Sequence, residues 1–454
     1  MKITLSSRRF LPPFSGGVDV YADRLARAFR RMGHQTALLA FDLQEAAAGP
    51  EVVVGKDEHQ GLPVWRFVLT SVGRFESTFP YAYHKEMGES IRAVLQQERP
   101  DLLFVLSFYL STLAAVEAAK DLGIPVAHIA TDFVPICRRS TLIRWDGKAC
   151  QKGESLKSCA ACFVSHRPLG RWAAKILDAL PEPALLRFSE RSGDGRSRGL
   201  SRPLNPYWKQ VSLMRDRLRL LRPLRELIDK VFAPTRYTAD AFLASGFRPD
   251  QVRLLPFAVE ESSPLARIRR SAADHCRFLF IGRLQPYKGA HILVQAFNRL
   301  DDPKGATLDI YGVPDGYPGY VRDLEAEIGR NARIRFRGRL DPGDLHLAFS
   351  EADYFVIPSI WHENSPLILL DALQSRTPVI ASNVGGLSDL IAEGKNGFLF
   401  PMGDTEGLSR LMARLIREPM VWDPAQTGPG LQRIEEYARA ILNPWQEPAL
   451  PGRR

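Results

Sequence analysis

Short apolar runs and helical-period apolar stripes alternate along most of the chain. Thr36 to Phe41, Leu102 to Leu106 and Val126 to Ala130 have the length and continuity of strands buried on both faces. Between them, Glu89 to Gln97 and Leu113 to Leu122 place apolar residues at the spacing of one helix face. That alternation predicts a parallel, doubly wound α/β sheet. The run from Met1 to Arg9 is too short in apolar residues for a signal peptide and reads as the first strand. It leads through Pro12-Pro13-Phe14-Ser15-Gly16-Gly17 into a helical pattern from Tyr21 to Phe29 closed by Gly33. Strand, glycine loop and helix is the order of a Rossmann-type phosphate turn, although adjacent glycines also make plain tight turns.

The pattern then repeats. Lys230 to Pro234 reads as a strand, Ala239 to Ala244 as a helix, and Val252 to Pro256 as a further strand. The acidic, Pro-containing run Glu260 to Pro264 reads as a hinge, so the domain boundary is expected near Glu261. Beyond it, Phe278 to Ile281 and Pro378 to Ser382 read as strands and Ile292 to Leu300 as a helix. A chain of 454 residues is too long for one ordinary core and fits two α/β domains. The expected division is 1–260, interrupted by an insertion at about 137–229, then 261–425, then a tail at 426–454 with a helix near Leu431 to Leu442. With 45% hydrophobic and 25% charged residues the composition is that of a globular protein. The longest uncharged stretch, Leu102 to Val116, is shorter than a spanning helix requires, so no transmembrane segment is expected.

Candidate chemistry concentrates in the C-terminal half. In Glu363-Asn364-Ser365-Pro366-Leu367-Ile368-Leu369-Leu370-Asp371, Pro366 suits the first turn of a helix, with Asn364 or Ser365 capping before it. Free amides there would face an anion, flanked by two carboxylates able to accept bonds from sugar and ribose hydroxyls. Upstream, Gly282-Arg283-Leu284-Gln285-Pro286-Tyr287-Lys288-Gly289 follows a strand and puts two cations in one loop. An Arg fork and a Lys point charge are what a departing diphosphate needs.

Together these residues resemble the donor half of family 4 sugar-nucleotide glycosyltransferases, from about Val252 to Phe400 and more loosely upstream. The resemblance implies an α/β GT-B fold of two Rossmann-like, doubly wound parallel-sheet domains facing a cleft, with the last helix crossing back to the first domain. It implies that Arg283 and Lys288 hold the diphosphate, Glu363 the donor sugar, the amides from Asn364 through Ser365 and Pro366 to Leu367 the sugar and phosphates, and Asp371 the ribose. The backbone at Gly282 and Gly338 would line the nucleotide, and Gly16 and Gly17 the donor diphosphate. The family pattern has a second Glu where this chain has Asp371, and often His-Asp where it has Thr131-Asp132. Asp132 remains an acceptor-side base or a simple helix cap. Retention at the anomeric carbon and catalysis without a cofactor also follow from the resemblance.

Four of the five cysteines, Cys137, Cys150, Cys159 and Cys162, fall within 26 residues and end in Cys-x-x-Cys. They suit a structural zinc, free thiols or disulfides, and the gaps match no standard zinc ribbon. From Arg187 to Arg225 there are eleven Lys or Arg and three acids. Within it, Val211 to Leu221 reads as a basic amphipathic helix able to lie on an anionic leaflet, or as a solvated insertion. No nucleic-acid-binding motif accompanies the charge, so nucleic acid is not an expected partner. The reading is a cytoplasmic enzyme, peripheral on the inner face of the plasma membrane, that moves a sugar from a UDP- or GDP-type donor to a saccharide or lipid-linked acceptor. Bacterial surface polysaccharide or lipopolysaccharide assembly is the setting the resemblance implies. The alternatives are an inactive nucleotide-sugar-binding scaffold and a sugar-nucleotide epimerase on the same architecture.

Overall fold

The structure is a computed structural model describing residues 1–10, 16–45, 51–71, 85–108, 112–137, 139–150, 155–165, 169–191, 205–260, 275–301, 305–314, 316–420 and 431–446. The expected hinge at Glu261 and the Pro12 to Ser15 approach to the glycine pair lie outside the described residues. The chain divides into two compact units, Met1–Leu255 with Ala438–Arg454, and Pro256–Tyr437.

The first unit is built on β1 (Lys2–Ser7), β2 (Gln35–Glu45), β3 (Glu51–His59), β4 (Leu62–Ser71), β5 (Leu102–Val105), β6 (Val126–Ile129), β7 (Lys230–Ala233) and β8 (Val252–Leu254). Its helices are α1 (Gly17–Arg31), α2 (Lys85–Glu98), α3 (Thr112–Asp121), α4 (Leu156–Val164), α5 (Gly170–Ala179), α6 (Glu182–Arg191), α7 (Asn205–Leu221), α8 (Leu224–Leu227) and α9 (Arg236–Ala244). The eight strands run in the order β3-β4-β2-β1-β5-β6-β7-β8. Their pairings are parallel except for β3 with β4, an antiparallel hairpin turned by Gln60 and Gly61, both in the left-handed region. That turn matches strand twist but lacks the usual Asn-Gly signal, which is why the hairpin is not read from sequence.

Continuous burial of Leu102–Val105 and Val126–Ile129 fixes β5 and β6 at the centre of the sheet. One face carries Phe41 stacked on Phe67 at 5.2 Å; the other carries Phe29 stacked on Phe104 at 5.7 Å. Helix α16 (Ile434–Gln446) contributes Trp445 to the latter face, edge-on to Phe104 and Phe232.

Between the neighbouring strands β6 and β7 the chain inserts α4 to α7, which close over a satellite core of Leu156, Ala161, Val164, Leu177, Val211 and Met214. This corrects the reading of α7 as a leaflet-lying helix. Val211 and Met214 are buried in that core, Leu218 packs on it, and Arg217 turns inward to donate to the Val134 carbonyl. The apolar stripe that sequence offered to a membrane is covered by the protein itself.

The second unit alternates β9 (Arg277–Ile281), α10 (Ala290–Asn298), β10 (Thr307–Tyr311), α11 (Pro318–Ile328), β11 (Ile334–Gly338), α12 (Leu345–Glu351), β12 (Tyr354–Ile357), α13 (Leu367–Gln374), β13 (Val379–Ser382), α14 (Leu387–Leu390), β14 (Gly397–Phe400) and α15 (Thr405–Arg417). The strands are parallel in the order β11-β10-β9-β12-β13-β14. Chain direction across the sheet therefore reverses between β9 and β12. Open α/β sheets bind ligands outside the carboxyl ends of strands at such a reversal. No helix among the described residues is long and apolar enough to cross a membrane.

His128, on β6, is fully buried against Phe108 and Phe242, with Nδ1 2.8 Å from the Val105 carbonyl. Burial pushes its imidazole down to about 4. Because the unfolded chain takes up this proton near pH 6.5, the contribution is complete above that value. It is lost as pH falls from 6.5 to about 4, by about 3 kcal/mol. Denaturant unfolding as a function of pH should show this slope, and His128→Leu should remove it.

Candidate functional site

At the carboxyl edge of the second sheet, two loops meet at the reversal point. The first leaves β9 at Gly282 and, after a 3-10 turn at Pro286–Lys288, enters α10 through Gly289. The second leaves β12 at Pro358 and enters α13 at Leu367. They touch at Gly289, whose φ is +73° and where an added Cβ would lie 1.8 Å from the Pro358 carbonyl oxygen. The Ile360 N–H donates to the Tyr287 carbonyl at 2.9 Å and fastens the loops.

This approach brings Lys288 to Glu363. The ammonium lies 2.7 Å from Glu363 Oε1, which also accepts from Ser359 Oγ at 2.7 Å. Lys288 Nζ sits over the Trp361 ring at 4.9 Å, and Tyr287 packs on that ring. Glu363 is buried, so the pair is a charge-assisted contact largely out of water. The Glu363 backbone is clamped from behind. Gly386 N–H donates to its carbonyl at 2.7 Å, and Gly385, at φ +56°, would place a Cβ 2.5 Å from the same oxygen.

Around this pair, Trp361 Nε1, Ser365 Oγ and Ser382 Oγ are buried without a hydrogen-bond partner. Buried polar atoms in that state are rare in proteins and fit polar atoms of a ligand. Burial pushes the imidazole of His362 below its usual range, so it is neutral at pH 7. The helix mouth differs from expectation in one respect. Pro366 is itself the N-cap, extended at ψ 123°, and no side chain caps α13. Neither Asn364 nor Ser365 therefore caps the helix: the ring fixes only φ, here −63° and common to both readings, while the extended ψ keeps Pro366 outside the first turn. The Leu367 amide stands at the open mouth, and Asp371 is buried one turn inside. Arg283 is half-buried just after Gly282. Gly338, at φ +71°, closes β11, with open space where a Cβ would stand and its carbonyl accepting from Gly312 N–H at 2.8 Å.

The first unit has its own reversal, between β1 and β5. Gly16 is the N-cap of α1 and Gly17 its first residue, so the helix starts four residues before the apolar pattern does. Asp19 in that first turn accepts from Ser7 Oγ at 2.8 Å, and burial raises its carboxyl against the pull of Ser7 and Arg8. Asp132 accepts from Ser107 Oγ at 3.0 Å and Val134 N–H at 2.9 Å. Burial raises its carboxyl too, opposed by these bonds and by Arg8. Its bond to Val134 makes it a turn cap.

Comparison with known proteins bears on the family and the fold. A model described as "Glycosyl transferases group 1" matches residues 266–440, and one described as "Glycosyl transferase 4-like domain" matches 16–177. The chain belongs to the family 4-like glycosyltransferases. A D-inositol 3-phosphate glycosyltransferase of Corynebacterium glutamicum is 38% identical over 126 residues, 26% of this chain and 30% of that relative's length. The match thus spans under a third of that protein. Two solved structures show the same GT-B fold. Anabaena HepE in complex with UDP has a TM-score of 0.58 at 16% identity, covering 98% of this chain and 95% of its own. The lipopolysaccharide outer core galactosyltransferase WaaB, in its apo form, has a TM-score of 0.55 at 13% identity, covering 98% and 100%.

In this family member three of the four clustered cysteines lie near one another. Cys162 accepts from the Trp145 backbone N–H and lies near enough to Cys137 and Cys150 to feel their charge, and its thiol is pushed up to about 11, chiefly by burial. Cys159, three residues earlier on α4, packs on the satellite core. Among the described residues no group of three or more His, Cys, Asp or Glu is disposed to hold a metal ion. Site residues that the motif reading left out are Ser359, Trp361, Ser382, Ser7, Asp19 and Ser107. Only Trp361, a large aromatic two residues before an acid, carries a sequence signal, and it is a weak one.

The contact at Gly289 yields a direct test. Gly289→Ala should lower stability by about 2 kcal/mol or more, since backbone must move away from Pro358. Gly385→Ala should displace Glu363 and weaken nucleotide-sugar binding, read as a smaller ligand-induced thermal shift than in the unaltered chain.

Proposed function

We propose that the protein transfers a hexose-type sugar from a nucleoside diphosphate donor to a saccharide or lipid-linked acceptor. The observation that carries this is the Lys288–Glu363 pair at the β9/β12 reversal, set beside three buried donors without partners. In this reading Glu363 and Ser365 hold sugar hydroxyls, and Asp371 accepts from the ribose. The open backbone at Gly338 receives the base. Lys288 turns from Glu363 to the diphosphate, joined by Arg283 and the Leu367 amide, as negative charge grows on the leaving oxygen.

The bond from the anomeric carbon to the diphosphate oxygen breaks while the acceptor oxygen bonds to that carbon on the same face. The acceptor proton passes to a diphosphate oxygen. Within the first unit, Asp132 is the candidate acceptor-side group, and Gly16 and Gly17 are candidate contacts to the donor diphosphate. UDP in HepE supports a uridine donor. The named activity of WaaB supports a role in surface lipopolysaccharide or polysaccharide assembly.

The test is a panel of UDP-, GDP- and ADP-sugars incubated with the protein and a lipid extract, scoring nucleoside diphosphate release and thermal shift. Release with one donor, above all a UDP-sugar, is the expected result. Lys288→Ala should lower turnover by about 10²–10³-fold with an unchanged circular dichroism spectrum. Near-normal turnover in that variant would contradict the assigned role, and binding of a donor without release across acceptor mixtures would favour an inactive scaffold.

A further inference from the structure

Helix α5 presents three distinct faces. Gly170, Ala174 and Leu177 are buried toward the satellite core. A second stripe holds Trp172 and Ile176, four residues apart, with Leu169 one turn before Trp172. These three are 64%, 40% and 80% exposed. A third stripe, alongside the second, holds Arg171 and Lys175, again four apart and both exposed.

The corner before the helix holds the apolar stripe outward. An added Cβ at Gly170 would lie 2.2 Å from the Val164 carbonyl oxygen, so α4 and α5 close tightly there. Leu169 is left at φ +58°, a left-handed backbone that leucine seldom adopts. The fold thus holds a leucine at an unfavourable φ with its side chain in solvent, next to an indole and an isoleucine.

We propose that this face of α5 docks the protein onto an anionic phospholipid surface. An indole suits the border between headgroups and hydrocarbon, and an apolar stripe edged by Arg and Lys is the pattern of a helix lying in that border. The charge is complementary. The chain carries a formal net charge of +10, and the same insertion has eleven Lys or Arg against three acids between Arg187 and Arg225. A second copy of the chain fits less well, because two such faces would bring the Arg171 and Lys175 stripes together. Docking through α5 goes beyond the transferase reading and does not rest on it. It also differs from docking through α7, whose apolar side is buried.

Flotation of the full-length protein with phosphatidylcholine vesicles, and with vesicles also containing phosphatidylglycerol, tests the idea. Binding should favour the anionic vesicles by tenfold or more and fall with added salt. Arg171→Ala and Lys175→Ala should each weaken it about fivefold. Trp172→Ser combined with Ile176→Ser should weaken it by about tenfold to a hundredfold, with the melting temperature unchanged. Equal binding to both vesicle types, no flotation at all, or unaltered flotation of the double variant would each overturn the proposal. So would a dimer in sedimentation that the double variant abolishes, which would assign the face to a second copy. Donor-induced thermal shift, measured on the same samples without lipid, reports on the transferase reading separately. Flotation with no shift would sink that reading and leave the docking intact.

Discussion

Everything at the candidate donor site depends on how closely the β9 loop approaches the β12 loop. The Gly289 backbone fits where a methyl group would overlap the Pro358 carbonyl. With the loops fastened there, Lys288 needs no further adjustment to reach Glu363, and Trp361 is held under the ammonium. A buried ion pair of this kind adds little net stability, because desolvation offsets much of its attraction. What it provides is position. A cation is kept beside the sheet reversal, paired with an acid until another anion competes for it. The glycine pair Gly385-Gly386 performs the matching service behind Glu363, so the acid is located by backbone contacts from two directions.

Much of this was legible in the sequence, for physical reasons that differ by element. Strands such as Leu102–Val105 and Val379–Ser382 are buried on both faces, and burial of that kind writes a continuous apolar run. The loop cations and the acids of the second unit sit close to such strands, so their place at the carboxyl edge followed from order alone. Other features leave no such trace. The hairpin of β3 and β4 turns on Gln60-Gly61, which resembles any short loop. Pro366 satisfies both a first-turn and an N-cap reading, and only its ψ separates them. The buried hydroxyls of Ser359 and Ser382 become informative only through what lies within hydrogen-bond reach, which is a property of three dimensions.

The insertion shows the same limit from another side. The helical period of Val211–Leu221 identified an apolar stripe correctly but could not say what covers it. In α5 the stripes are shorter and interrupted by alanines, so the sequence pattern does not single them out. Burial assigns the roles the other way round, with α7 packed inward and α5 carrying apolar side chains into water.

The insertion also has a consequence for how such a chain can change over generations. Strands β6 and β7, which bracket it, pair directly with each other in parallel register. The sheet is therefore continuous across the point where about a hundred residues leave and return, and helices α4 to α7 within that segment share a satellite core. Selection can lengthen, shorten or recharge this module without altering a strand register or any group at the second unit's sheet edge. The insertion can evolve independently of the sheet edge that carries Lys288 and Glu363.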